Sequence, residues 1–68
     1  MTDIEFIEKI KEYNSILPNG VKIALTINKN DYDIFMSDNC VALYSKYNFK
    51  SDDFERVLKH IQVEIDSL

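Results

Sequence analysis

The stretch from Val21 to Tyr47 constrains the fold most, because its apolar residues recur at every second position. Three runs share this period: VKIALTI (21–27), YDIFMS (32–37) and VALYS (41–45). A period of two is typical of strands that bury one face and expose the other. The pattern therefore predicts a three-stranded antiparallel meander, in the order 1-2-3.

The two short connections predict how these strands pair. A two-residue turn at Asp38-Asn39 is favoured, because Asp and Asn tolerate positive φ, and it would place Ser37 opposite Cys40. A four-residue loop over 28–31 would place Ile27 opposite Tyr32. One face then carries the rows Ile23/Met36/Val41, Leu25/Ile34/Leu43 and Ile27/Tyr32/Ser45, and the other carries Lys22/Ser37/Cys40, Ala24/Phe35/Ala42 and Thr26/Asp33/Tyr44. A slip of one residue would turn a strand's apolar set to the wrong side.

The second face is the stronger candidate for a binding surface. The residues that we expect to contact a partner there are Ala24, Phe35, Ala42, Tyr44, Lys22 and Cys40. An exposed apolar cluster with a polar rim often marks an interaction surface. In the alternative, the long stems of Lys22 and Lys46 simply cover a solvent-facing aromatic residue.

An amphipathic segment flanks the meander on each side. The first begins with Thr2 and Glu5 at capping-box spacing, and its apolar stripe is Phe6, Ile10, Tyr13 and Leu17. The second carries the stripe Phe54, Val57, Leu58, Ile61, Ile65 and Leu68, and Phe49 precedes it as an anchor to the core. Both helices should pack on the apolar side of the sheet. The prediction is an α+β, two-layer α-β-β-β-α domain over residues 1–68, with both helices on one face.

Length and charge narrow the possible partners. The chain has 68 residues and a net charge of −4, and no basic stripe stands out as it does in most nucleic-acid-binding proteins. No apolar run approaches the ~20 residues that span a bilayer, and no signal-peptide pattern is visible. With one cysteine, no internal disulfide is expected. We therefore expect a cytoplasmic protein that binds neither nucleic acid nor membrane.

Groups suited to catalysis are few. His60 is placed on the outer half of the last helix, where a surface histidine is the simpler interpretation than a general base. A lysine such as Lys22 can favour the thiolate of a nearby cysteine, but an inert Cys40 is again simpler. The predicted pairing places the two on opposite sides of the sheet, which argues against a Cys-His pair. Histidines and cysteines at ligand spacing are lacking. No enzymatic activity, cofactor or metal is expected.

An acidic surface offers an alternative function. It comprises Glu5, Glu8 and Glu12 on the first helix and Asp52 and Asp53 at the start of the second. Such a surface can bind a basic partner or imitate DNA, although charged outer helix faces are routine in soluble proteins. In size and charge the chain is similar to small acidic inhibitors from phages or mobile elements, some of which block nucleic-acid-binding defence proteins of bacteria.

The order of elements resembles that of the double-stranded RNA-binding domain, which places two helices on one face of a three-stranded meander. That family has a lysine cluster at the start of its last helix, where this chain reads Lys50-Ser51-Asp52-Asp53-Phe54. Aspartates there would repel a phosphate backbone. The resemblance therefore implies a domain that has lost nucleic-acid binding.

These observations favour a non-enzymatic protein-protein interaction module that binds a protein partner through the exposed sheet face. The apolar row is narrow and charged residues interrupt it, so its area is small for a stable dimer. We expect a monomer or a weak homodimer.

Overall fold

The chain folds in the order helix, three strands, helix, and the computed structural model describes every residue from Met1 to Leu68. The elements are α1 (Asp3–Ile16), β1 (Val21–Ile27), β2 (Tyr32–Asp38), β3 (Val41–Phe49), a 3-10 turn (Ser51–Asp53) and α2 (Phe54–Asp66). The strands form one antiparallel sheet in the order β1-β2-β3. The predicted α-β-β-β-α architecture is confirmed.

Helix α1 begins at the predicted capping box. The backbone N–H of Glu5 donates to Thr2 Oγ1 at 3.2 Å, and the backbone N–H of Thr2 donates to Glu5 Oε1 at 2.8 Å. The hydrogen bonds that the Glu5 carboxylate receives, first from the backbone and then from the side chain of Thr2, favour its ionised form and lower the pKa of Glu5. The helix ends before Pro18, which disfavours helical geometry at Leu17.

Both helices bury their apolar stripes against the same face of the sheet. The buried apolar residues are Phe6, Ile10, Tyr13, Ile23, Ile34, Met36, Phe49, Phe54, Val57, Leu58 and Ile61. At the end of the core where the two helices start, the rings of Phe6 and Phe54 stack with centroids 4.2 Å apart. The predicted stripe of the second helix is too long by one residue, because α2 ends at Asp66 and Leu68 is 54% exposed.

The pairing of β1 with β2 is the predicted one. Ile23 lies opposite Met36, Leu25 opposite Ile34 and Ile27 opposite Tyr32. The loop over 28–31 closes through the backbone N–H of Asn28, which donates to the carbonyl of Asp31 at 2.9 Å.

The pairing of β2 with β3 differs from the prediction, beginning at the turn. The turn residues are Asn39 and Cys40, with φ of 47° and 73°, so Asp38 stays in β2 and lies opposite Val41. Positive φ at both central residues matches the tight hairpin turn that suits the sheet twist. The backbone N–H of Asn39 donates to the carbonyl of Gly20 at 2.9 Å. This bond extends the β1–β2 ladder past Asp38 and moves the turn one residue along the chain.

Two bulges in β3 change the pairing further. Ser37 lies opposite Ala42 but Met36 lies opposite Tyr44, so Leu43 is an extra residue in β3. A second shift separates the pair Ile34/Lys46 from the pair Tyr32/Phe49. Asn48 has φ of 58° at that point. Each bulge reverses which face the following side chains occupy. The second one brings Phe49 into the core, where it is 2% exposed.

Candidate functional site

The face of the sheet away from the helices, called the outer face below, is covered by no other element. Strand alternation and the observed pairing place nine side chains on it: Lys22, Ala24 and Thr26 from β1, Asp33, Phe35 and Ser37 from β2, and Ala42, Ser45 and Tyr47 from β3. Phe35 is at the centre and half-buried. Ala24 and Ser45 are its cross-strand neighbours. The predicted apolar row Ala24/Phe35/Ala42 is therefore interrupted, since Ala42 lies opposite Ser37.

Tyr44 is not on the outer face, and its predicted position there is wrong. The bulge at Leu43 turns it toward the helices, where its ring stacks on His60 with centroids 5.3 Å apart and planes 5° apart. Partial burial, and to a lesser extent the carboxylate of Asp53, raise the pKa of Tyr44. Tyr44 belongs to the packing between β3 and α2 and not to the candidate surface.

Tyr47 takes the position on the outer face that the sequence assigned to Tyr44. It is 61% exposed, and strand alternation places it on the same side as Ser45. The sequence did not predict this position, because the third strand was expected to end at Ser45, which left Tyr47 in the connection to the last helix, whereas β3 continues to Phe49. One signal was present: Asn48, which follows it, belongs to the residue types that enter the left-handed region most readily.

A concavity of about 560 Å³ lies at the end of the outer face where the α1–β1 connection meets the β2–β3 turn. Its lining residues are Gly20, Val21, Lys22, Phe35, Ser37, Asn39 and Cys40. The predicted pairing of Cys40 with Ser37 is wrong, but Cys40 still borders this concavity from the turn. Lys22 and Phe35 also line it. The structure therefore brings together three of the predicted site residues, Lys22, Phe35 and Cys40.

Close contact between backbone segments shapes this end of the sheet. Gly20 has φ of +91°, and a Cβ built on it would lie 2.5 Å from Asn39 Oδ1. Only glycine adopts this conformation easily and leaves room for the Asn39 amide. The Asn39 side chain in turn donates to Asp38 Oδ1 at 3.1 Å. The turn is thus held against β1, and the concavity has a fixed rim.

Two polar groups in the concavity have no partner within the chain. The three ion pairs of the structure use Lys9, Lys11 and Arg56, so the ammonium group of Lys22 faces no carboxylate within 4 Å. Ser37 is only 3% exposed, and its hydroxyl makes none of the side-chain hydrogen bonds of the chain. No fully buried polar atom is left unpaired, so this hydroxyl reaches solvent through the concavity.

The edges of the sheet are less open than its outer face. Asn14 of α1 contacts the edge of β1, where its side-chain amide accepts from the N–H of Ile23 at 2.9 Å and donates to its carbonyl at 3.0 Å. On the opposite edge, the bulges at Leu43 and Asn48 interrupt β3. Bulged or covered edges hinder the addition of a further strand.

The acidic residues of the alternative surface lie on the two helices and are partly paired. Glu8 lies 3.9 Å from Lys11, Glu12 lies 3.4 Å from Lys9, and Asp53 lies 3.8 Å from Arg56. Glu5 is engaged in the capping box, and Asp52 is exposed at the start of the 3-10 turn. The paired cations Lys9, Lys11 and Arg56 therefore interrupt the acidic surface.

A second cluster of polar side chains closes on itself at the other end of the sheet. Asp33 accepts from the backbone N–H of Asn48 at 2.8 Å and from the amide of Asn28 at 3.1 Å, and these bonds lower the pKa of its carboxyl. Asp31 accepts from the side-chain amide of Asn28 at 2.8 Å and from the side-chain amide of Asn48 at 3.2 Å. A small concavity of about 280 Å³ borders the loop. The amide donors satisfy both carboxylates, so we assign the cluster a structural role.

The two candidate catalytic residues are on different elements and have different neighbours. Cys40 is in the hairpin turn at the outer face, whereas His60 is on α2 and stacks on Tyr44. No group of three or more His, Cys, Asp or Glu side chains has an arrangement that would hold a metal ion. Neither helix has the length and apolar character that crossing a bilayer requires.

Comparison with known proteins identifies no relative. The resemblance to the double-stranded RNA-binding domain therefore rests on the order of elements alone. No protein-family model, curated protein or solved structure matches this chain.

Proposed function

We propose that this chain is a non-enzymatic protein-interaction module that binds a protein partner through the outer face of its sheet. The observation that carries the proposal is the placement of both helices on one side. This placement leaves Phe35 and Tyr47 on an uncovered face. Aromatic side chains surrounded by smaller residues and a polar rim are typical of contact surfaces. A cytoplasmic location is part of the proposal and follows from the expectations for the sequence.

The separation of the reactive side chains supports a binding role over catalysis. A nucleophile needs its base within hydrogen-bond reach. Cys40 and His60 are on opposite layers of the domain, and a different side chain, Tyr44, occupies the face of the imidazole. Cys40 instead borders the concavity beside Lys22 and Phe35.

The outer face is also a better candidate than the acidic helix surface. Cations lie within 4 Å of Glu8, Glu12 and Asp53 and reduce the local negative potential there. Exposed ion pairs of this kind are worth little in stability. They still interrupt the continuous acidic stripe that an imitation of DNA requires. On the outer face no ion pair covers the aromatic residues.

The test compares single substitutions in a capture experiment with extract from the source cells. Phe35→Ala and Tyr47→Ala should each lose partners that the parent protein captures. Val63→Ala is the matched control, because Val63 is 57% exposed on α2, away from the outer face. Amide spectra must show that each variant is folded. If every captured protein binds both outer-face variants as well as the parent, the proposal is wrong.

Salt separates this proposal from the acidic alternative. Binding through an apolar face should tolerate added salt, whereas binding through Glu5, Glu8, Glu12, Asp52 and Asp53 should weaken steeply, because salt screens exposed charges. Capture that is lost at high salt but retained by Phe35→Ala would favour the acidic surface.

A further inference from the structure

Two polar residues that line the concavity on the outer face, beside an aromatic wall, have no side-chain partner in the chain. Ser37 is 3% exposed, and its hydroxyl has no partner in the chain. The Lys22 ammonium group has no ion-pair partner. Phe35, at the centre of the outer face, borders the same concavity. In the absence of a ligand, only water can satisfy the serine and the lysine.

We infer that this concavity binds a side-chain carboxylate, Glu or Asp, that a protein partner presents next to an apolar residue. The inference rests on the proposed function and specifies the chemistry of the partner. A carboxylate accepts hydrogen bonds at both oxygens, so one group can accept from the Lys22 ammonium and from the Ser37 hydroxyl. The methylene stem and the apolar neighbour of the carboxylate then contact Phe35 and Ala24.

Other partner groups fit the concavity less well. A cationic side chain would be repelled by Lys22. A neutral amide can bond to Ser37 but leaves the lysine charge without a counter-ion. A nucleic-acid backbone needs several cations along its length, whereas Lys22 is the sole charged residue that lines the concavity of this acidic chain.

The rim of the concavity is organised before any partner arrives. The N–H of Asn39 donates to the carbonyl of Gly20, and the Asn39 side chain donates to Asp38. The left-handed turn residues Asn39 and Cys40 thus have defined positions next to β1. Because this rim needs no ordering on binding, more of the interaction free energy is retained as affinity.

The experiment titrates the isotope-labelled full chain with two blocked dipeptides and follows backbone amide shifts. One peptide is N-acetyl-glutamyl-phenylalanine amide, and the other replaces glutamate with glutamine and so differs only in the charged group. The glutamate peptide should shift the amides of Lys22, Ser37 and Cys40. It should bind about threefold or more tightly than the glutamine peptide, as an exposed charge-assisted contact allows.

Variants assign the preference to the concavity. Lys22→Met should abolish the preference for glutamate, and Ser37→Ala should weaken binding of the glutamate peptide. Lys29→Met is the matched control: Lys29 is an exposed lysine in the β1–β2 loop at the other end of the sheet, and this variant should behave as the parent does.

Three results would overturn the inference: equal affinity for the two peptides, a preference that survives Lys22→Met, or no shift at the concavity with either peptide. Equal shifts around Phe35 and Tyr47 with both peptides would leave the outer face as a binding surface and reject only the carboxylate. Loss of partner capture in Phe35→Ala tests the proposed function separately.

Discussion

At the scale of single residues, Asn14 connects helix α1 to the edge of the sheet. Its side chain hydrogen-bonds to both backbone groups of Ile23, as a neighbouring strand would do. The edge of β1 is thereby closed at that point, and the angle of α1 over the sheet is constrained. A polar residue beside an apolar helix stripe has this role only because Ile23 directs its N–H and carbonyl away from β2.

Replacing Asn14 with alanine should destabilise the protein by about 1–2 kcal/mol, since two part-buried hydrogen bonds are lost. The measurement is the urea midpoint, with an unchanged dependence on denaturant. Asn14→Asp should also be less stable than the parent, because its carboxylate can accept from the Ile23 N–H but presents a second acceptor to the Ile23 carbonyl. Lys11→Ala, on the exposed side of the same helix, is the control and should stay within about 0.5 kcal/mol of the parent. An Asn14→Ala variant as stable as the parent would contradict this role.

Asp33 makes the stability of the fold depend on pH. Hydrogen bonds from the Asn48 backbone and the Asn28 side chain lower its pKa below the ordinary value of 3.8. A carboxyl with a lowered folded-state pKa stabilises the fold above its unfolded pKa, and this contribution is lost as the pH falls through the folded pKa.

Asp33→Asn should therefore be less stable than the parent at neutral pH and should lose less of its stability on acidification below about 4. Thermal unfolding followed across an acid series measures both effects. Asn28→Ala removes one of the two donors to Asp33, so the dependence of its stability on pH should lie between those of the parent and Asp33→Asn. The role of Asp33 is disproved if the parent and Asp33→Asn show parallel curves over the acid range.

At the scale of elements, β3 decides which aromatic residue faces the core and which faces a partner. The bulge at Leu43 directs Tyr44 toward α2, and the bulge at Asn48 returns Phe49 to the core. Between the bulges, Tyr47 is exposed on the outer face. The bulges also interrupt an edge that a regular nine-residue strand would offer to other chains.

Alanine substitutions at the two tyrosines test this arrangement. Tyr44→Ala should cost about 1–3 kcal/mol, because a half-buried ring that packs on His60 is removed. Tyr47→Ala should change stability by less than about 0.5 kcal/mol, as expected for an exposed side chain. Urea unfolding of both variants shows which substitution lowers the free energy of unfolding more. Tyr44→Phe, which keeps the ring, is the control. The opposite order would mean that β3 pairs without the bulge at Leu43.

At the scale of the whole molecule, the outer face is small for self-association. The protein exposes 4626 Å² in total. A stable two-fold interface takes ~800 Å² from each partner, which is about a sixth of that surface. Lys22 and Asp33 interrupt the apolar residues of the face, and the net charge of −4 opposes contact between copies.

We therefore predict a monomer, or a weak dimer that dissociates on dilution. Sedimentation from micromolar to nanomolar concentration measures this, and Phe35→Lys should shift any dimer further toward the monomer. Val63→Lys, which places the same charge on α2, is the matched control and should leave the equilibrium unchanged. A dimer of the parent protein that persists at nanomolar concentration would contradict the prediction, and its dissociation in Phe35→Lys but not in Val63→Lys would place the interface on the outer face.

The sequence by itself determined the order of the elements and the first strand pair, but not the extent of β3, which continues past the predicted end at Ser45 to Phe49. Helix and strand positions follow from the 3.6- and two-residue periods of burial. The start of α1 follows from Thr2 and Glu5. The β1–β2 pairing follows from a four-residue loop between two strongly alternating runs. These features depend on residues close together in the chain, so local patterns suffice to predict them.

The tertiary structure decided the pairing of β3 and hence the composition of the site. The turn moved to Asn39-Cys40, because the Asn39 N–H pairs with the carbonyl of Gly20, a residue nineteen positions earlier. The bulges place Tyr44 and Phe49 against the helices, and the same shift exposes Tyr47 and leaves Ala42 opposite Ser37. The alternating pattern after Val41 is compatible with more than one register of β3 against β2. Contacts with α2 and the aromatic core, which are distant in the chain, select among them.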